Sequence, residues 1–297
     1  MCNLRHNNEN RGQYEEYCYK AIRSGKHTEV YIYYDKIFRR KTRYADDLLK
    51  MIESWDITVN KKEILKEEKK EVEQEILEEF VHVNKNDLNL KRSQRRLKRL
   101  INSNLGQYKE LDKFLTLTYP GLKSREKACR AFKTFAQNLR RNYGSQIQYI
   151  AVMEIQDGSR LEDSSLATKD IHFHVLLFDC PYIPQAIIQD RLWGHGIVDI
   201  RKIEQFGDIA GYLANYLSKD QTLAIKGKRS YFPSRKLKKP IEQISMDDNL
   251  LVEILKNEKN EVQFSTEFII ERVGRIGYIK LIENEKEDEE KTMTFIN

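Results

Sequence analysis

Apolar and polar positions along the chain fall into two periods, and their order divides the sequence into three zones. In the first, residues 1 to 104, Tyr14 to Arg23 has helical spacing, EVYIYY at 29 to 34 reads as a strand, and Asp46 to Trp55 reads as a second helix. Residues 61 to 79 hold five Lys and eight Glu around Ile64, Leu65, Val72, Ile76 and Leu77, the pattern of an exposed amphipathic helix. KRSQRRLKRL at 91 to 100 then sets six basic residues around two leucines. Two readings of that stretch stay open: a helix with a wet basic face, or one that contacts phosphates through Arg95, Arg96 and Arg99.

The second zone alternates strand and helix patterns. FLTLTY at 114 to 119 is a β-branched and aromatic run closed by Pro120-Gly121. Residues 124 to 142 have helical spacing through Ala128, Phe132, Phe135 and Leu139, and IQYIAVMEI at 147 to 155 and IHFHVLLF at 171 to 178 are strands. The polar stretch from Asp157 to Asp170 between them suits a long hairpin loop. A helix at 184 to 193, a strand at 196 to 203 and a helix from Gly207 to Lys219 follow. These elements predict an α+β arrangement, a mostly antiparallel sheet backed by helices. In the third zone FSTEFIIERV and RIGYIKLI read as paired strands, followed by an acidic tail, ENEKEDEEK. The expected division is a charged, mainly helical region at 1–104, a central domain at 105–240, and a small β region with the tail at 241–297.

Composition changes this picture little. Charged residues make up 33% of the 297, above the usual share of about 25%. The net charge of +6 matters through its placement. Residues 226 to 239 carry seven basic residues, Arg229, Arg235, Lys236, Lys238 and Lys239 among them, and no acidic one. Interleaved with Tyr231 and Phe232, they have the composition suited to a single-stranded nucleic acid, or to a solvated loop. Four cysteines without CxxC spacing exclude a zinc ribbon or thioredoxin-type pair and point to reduced thiols in a cytoplasm. The polar N-terminus and strand-sized apolar runs point away from secretion and the membrane.

Three sets of residues could carry chemistry. His172 and His174 stand two apart in a strand, so both imidazoles share one face, about 6.6 Å apart, opposite Ile171, Phe173 and Val175. Glu154, near the end of the preceding strand on the face of Ile150 and Val152, is a carboxylate that needs a partner if buried. Two imidazoles and a carboxylate would leave coordination positions of a divalent ion open, as a catalytic site requires. Tyr212, Tyr216 and Lys219 fall along one stripe of the last helix beside the apolar stripe of Ile209, Leu213 and Leu217. Ionising a tyrosine at neutral pH costs about 4 kcal/mol, so a nucleophilic Tyr needs that cost lowered or its target polarised.

FLTLTYP, a strand with Glu154, HFH, and YLANYLSK in a helix, in this order over about 91 to 240, resemble the three motifs of HUH-type rolling-circle replication initiators. NSNLGQYKELDKFLTLTYP, WGHGIVDIRKI and KGKRSYFPSRKLKKP look like the microvirus and inovirus branch and related plasmid Rep proteins. The resemblance implies an RRM-like antiparallel sheet and a Mg²⁺ or Mn²⁺ ion on His172, His174 and Glu154. It also implies a Tyr that cuts a DNA strand and stays on its 5′ phosphate. Tyr216 is followed three residues later by Lys219, as in two-tyrosine members, whereas Tyr212 is followed by Asn215; Tyr216 is thus the expected main nucleophile and Tyr212 the second. The expected function is site-specific nicking and strand joining at a replication origin on single-stranded DNA. No GxxxxGK[ST] loop is present, so helicase and polymerase would come from the host. An HUH transposase and a catalytically inactive DNA-binding replication regulator are the alternatives. A zinc amidohydrolase fits poorly, because only His195 follows the doublet. Thr116 and Thr118 read equally as sheet residues or DNA contacts.

Overall fold

Both periods are realised in a computed structural model of the chain. It describes residues 17–34, 69–70, 72–73, 88–107, 112–121, 125–156, 170–203, 206–219, 231–270 and 273–284. The helices expected at 46–55 and over most of 61–79, the hairpin loop at 157–169, Arg229 and most of the acidic tail lie outside these residues. The first elements are β1 (Tyr19–Ser24), β2 (His27–Tyr33), helix α1 (Leu88–Asn102) and β3 (Lys113–Tyr119). They are followed by α2 (Arg125–Tyr143), β4 (Gln148–Gln156), β5 (Asp170–Phe178), a π-helical turn (Ile187–Trp193), β6 (Val198–Lys202) and α3 (Ile209–Lys219). The last are β7 (Tyr231–Pro233), β8 (Ile241–Ser245), α4 (Asn249–Lys256), β9 (Asn260–Ile270) and β10 (Gly274–Glu283). The chain is α+β and folds as two units, one of residues 1–84 with 240–297, the other of residues 85–239.

The first unit holds a five-stranded antiparallel sheet in the order β8-β1-β2-β10-β9. Its N-terminal strands correct the expected helix at Tyr14 to Arg23, whose described residues 19–23 form β1 between β2 and β8. Tyr19, Ala21 and Ile22 are all buried, so β1 is apolar on both faces and its sequence lacks the alternation of a half-exposed strand. Gly25, at φ 61°, supplies the left-handed residue that opens the two-residue turn to β2. β9 and β10 are paired strands, as expected, but their sheet is completed by the N-terminal hairpin and is not a separate C-terminal one. Val30, Ile32, Ile279, Leu281, Leu251 and Val72 pack in its core.

The second unit carries a five-stranded antiparallel sheet in the order β6-β3-β5-β4-β7, with β5 at its centre. Alternation along β5 gives each face its own core. Ile171, Phe173, Val175 and Leu177 meet α2 through Ala128, Phe132, Phe135 and Leu139, and meet Ile188, Leu192 and Trp193 of the π-helical turn. Phe173 stacks on Phe132 with ring centroids 4.9 Å apart. On the other face Phe114, Ile150, Val152 and Leu176 pack with Leu97 and Ile101 of α1 and with Ile209, Leu213 and Leu217 of α3. The helix expected at 184–193 is thus a π-helical turn after Pro184, stopped where Gly194 turns left-handed (φ 68°) and gives its N–H to the Gln189 carbonyl. Burial pushes the Cys180 thiol up to about 11, so it stays protonated.

Phe173 is fully buried in the α2 core, so Phe173→Ala should destabilise the second unit by about 3–5 kcal/mol. Tyr182→Ala, at a side chain 82% exposed, should stay within about 0.5 kcal/mol. Urea unfolding followed by tryptophan fluorescence compares the two.

Candidate functional site

The face of the second sheet beneath α1 and α3 becomes polar toward one end. In β5, Leu176 belongs to the core, while His174 and His172, two and four residues earlier, continue the same row. The register sets Val152 opposite His174 and Glu154 opposite His172 on β4, and Thr116 and Thr118 opposite the same two histidines on β3. Glu154 Oε2 lies 2.9 Å from His174 Nε2. Thr116 Oγ1 is 3.3 Å from His174 Nδ1, and Thr118 Oγ1 is 3.4 Å from His172 Nδ1. His172 Nε2 is buried with no hydrogen-bond partner. Burial, helped by the neighbouring His174, holds the His172 imidazole below the usual histidine value, against the pull of Glu154 and Asp170. It is therefore neutral at physiological pH. Among the described residues no three His, Cys, Asp or Glu side chains are gathered as a complete ion-binding set; Glu154 is drawn onto His174.

Helix α3 brings the tyrosines to the same place. Its N-terminus is held by Asp208, whose carboxylate accepts the Gly211 N–H at 2.8 Å. A Cβ on residue 211 would come within 2.2 Å of that carboxylate, which is why a glycine stands inside the first turn. With the apolar stripe against the sheet, Tyr216 stacks on His174, ring centroids 3.8 Å apart. Tyr212 meets the edge of Phe114, and the two tyrosine hydroxyls are 2.6 Å apart. Lys219 ends α3; its side chain is outside the described residues. On β6, Asp199 and Arg201 lie opposite Thr116 and Phe114, and Asp199 holds the exposed Arg201 guanidinium at 2.7 Å within electrostatic reach of both tyrosines.

The basic residues divide. Arg96 is exposed and Arg99 partly buried, while Arg95 is 9% exposed and offers little of its charge to solvent. Arg235, Lys236, Lys238 and Lys239 are exposed on a segment anchored at three points. Leu237 enters the α1–α3 core, Ser234 exchanges backbone hydrogen bonds with Tyr149, and the buried Asn104 clamps Lys238. That amide accepts the Lys238 N–H at 3.0 Å and donates to the Lys238 carbonyl at 2.9 Å. Sequence reading missed Asn104, Asp199, Arg201 and Asp208. A capping Asp before an apolar run is a recognisable signal, whereas nothing local marks a buried amide that pairs across 134 positions.

All four motif elements, β3, β4, β5 and α3, lie within residues 112–221, which match the family model described as replication-associated protein ORF2/gene-2 protein. The match supports a replication-initiator (Rep) family. It covers both histidines, Glu154 and both tyrosines, and it ends before the anchored basic segment. No curated protein and no solved structure gives a match. Among the described residues no helix is long and apolar enough to cross a membrane.

The cap can be tested apart from any activity. Asp208→Ala should cost about 1 kcal/mol of stability, measured by urea unfolding, and Asp208→Asn should restore most of it.

Proposed function

We propose that the protein is a site-specific DNA-nicking and strand-joining initiator of rolling-circle replication, with Tyr216 as nucleophile. The observation that carries this reading is the stacking of Tyr216 on His174, which brings a phenol to the two histidines and the carboxylate. The Rep-family match over the same residues supports it. So does the topology: numbered from β3, the strands of this βαββαβ unit lie in the order four-one-three-two, with β7 added at the edge, the arrangement of an RRM-like sheet.

In this reading the Tyr216 oxygen attacks a phosphodiester phosphorus. The Tyr–phosphate bond forms as the bond to the 3′ oxygen breaks, leaving a free 3′-OH to prime a host polymerase and a 5′ end joined to the protein. The phosphotyrosine keeps the bond energy, so a later 3′-OH rejoins the strand without ATP. Tyr212 donates its hydroxyl hydrogen to Tyr216 as negative charge builds there, and Arg201 offsets part of that charge, which lowers the cost of ionising a phenol. His172, His174 and Glu154 are the residues that would hold a Mg²⁺ or Mn²⁺ ion, whose chemistry when bound is to draw charge from the phosphate oxygens. The donor set fits such an ion: the buried, unpartnered Nε2 of His172 belongs to a neutral imidazole, and the carboxylate is already beside the second ring. The single-stranded origin would be gripped by Arg96 and Arg99 and by Arg235, Lys236, Lys238 and Lys239, in a bacterial or host-cell cytoplasm with a borrowed helicase.

The deciding experiment incubates the protein with Mn²⁺ and single-stranded oligonucleotides from the DNA flanking its own gene, and maps any covalent adduct. Tyr216→Phe should remove nearly all adduct, and EDTA or His172→Ala should stop nicking while strand binding persists in a mobility-shift assay. Tyr212→Phe should keep the first nick and lose mainly the second transfer. Adduct on Tyr212 with Tyr216→Phe fully active would reverse the two roles, and no adduct from the intact protein would favour the inactive regulator.

Binding to single strands should fall with salt at a log–log slope of about −0.7 per phosphate contacted. Replacing Lys236, Lys238 and Lys239 together by Gln should flatten that slope in a fluorescence-anisotropy titration. An unchanged slope returns the segment to a solvated loop.

A further inference from the structure

The two threonines of FLTLTY pair one to one with the two histidines. β3 and β5 are neighbours, both alternate with period two, and their register sets Thr116 against His174 and Thr118 against His172 on one face. Each hydroxyl lies within hydrogen-bond distance of the Nδ1 of its partner, 3.3 Å for Thr116 and 3.4 Å for Thr118. In both rings Nδ1 is thus engaged by the neighbouring strand, and Nε2 is the nitrogen left for the site.

The other nitrogen of each ring decides where its proton sits. A carboxylate accepts and does not donate, so the 2.9 Å contact to Glu154 requires His174 to carry a proton on Nε2. In the neutral ring Nδ1 is then an acceptor, and the Thr116 hydroxyl donates to it. His172 differs, because its Nε2 is buried with no partner. A buried N–H without an acceptor is the costlier and rarer orphan, so the proton belongs on Nδ1, donated to Thr118 Oγ1, and Nε2 carries a bare lone pair.

We infer that Thr116 and Thr118 are positioning residues that set the ring planes and the tautomers of His174 and His172, the first by donating a hydrogen bond and the second by accepting one. Their purpose rests on the metal reading above; the hydrogen-bond arrangement does not. A hydroxyl suits both posts because it can donate or accept by rotating about its C–O bond. If His174 is to offer a lone pair at Nε2, a proton leaves Nε2 and another is taken up at Nδ1, with no net change in charge. Thr116 then turns from donor to acceptor while its oxygen stays in place. Asn or Asp at 116 would lack that single-atom reversibility. The strand end is held as well: Trp193 donates its indole N–H to the Thr118 carbonyl at 2.8 Å, and the Thr118 N–H bonds to the Ile197 carbonyl. Gly196 lets β6 come close, since a Cβ there would stand 2.5 Å from the same Thr118 carbonyl.

The test reads the rings directly, in the ¹⁵N-labelled full-length chain with EDTA present, at a pH where the imidazoles are neutral. Long-range ¹H–¹⁵N spectra, assigned with single histidine substitutions, should show His172 protonated on Nδ1 and His174 on Nε2. Thr118→Val should move His172 toward the Nε2–H form, and Thr118→Ser should keep the wild-type spectrum. In Mn²⁺ titrations followed by electron paramagnetic resonance, Thr118→Val should bind about ten- to a hundredfold more weakly than wild type, with Thr118→Ser restoring affinity. The same tautomer in both wild-type rings, or a His172 spectrum unmoved by Thr118→Val, overturns the assignment. Opposite tautomers that respond to Thr118, in a protein that does not bind Mn²⁺, would keep the positioning role and remove the metal reading instead.

Discussion

The second unit depends on the two-residue period of its central strand, Asp170–Phe178. Ile171, Phe173, Val175 and Leu177 are buried against α2 and the π-helical turn, and slipping that row by one residue would send the histidines into an aromatic core. Burial of one face therefore fixes the chemistry of the other. His172 and His174 cannot leave the α3 side without taking Phe173 out of its stack on Phe132. Neighbouring strands inherit the constraint through their register, and Glu154, Thr116 and Thr118 arrive at the histidines without any contact chosen for each alone.

What the sheet does in one direction, buried polar groups do in the other. α3 is set by its apolar stripe and by Asp208 at its start, and together these decide that Tyr216 lies flat on His174. The exposed lysines near residue 238 have no such stripe, yet they are held, because Asn104 closes two hydrogen bonds on one backbone position and Leu237 is tucked beside it. A charged side chain on an anchored backbone loses less freedom on meeting a polyanion than one on a loose loop. The site thus joins a rigid reactive end to a grip whose backbone is already ordered.

Much of the reactive end was legible in the sequence, because period alone places His172 with His174, and Tyr212 with Tyr216. Thr116 and Thr118 were visible but ambiguous, since their meaning depends on which strand lies next to them and in what register. β1 was misread because burial on both faces erases the alternation that marks a strand. The division of the basic residues was also hidden: Arg95 and Arg96 are adjacent and chemically identical in the sequence, and only the rotation of α1 against the sheet separates the buried one from the exposed one.

The first unit is written in two pieces, with the whole of the second inserted between them. β2 has β1 within reach at once, but its other neighbour, Gly274–Glu283, leaves the ribosome only after residues 85–239 have been made. The order of synthesis therefore lets the inserted unit collapse first. Once compact, it brings the flanking segments near each other and spares the chain much of the entropy of closing so long a loop. A mutation that slows folding of the inserted unit would then delay completion of a sheet to which it contributes no strand, leaving the edge of β2 unpaired during translation and exposed to association with other chains.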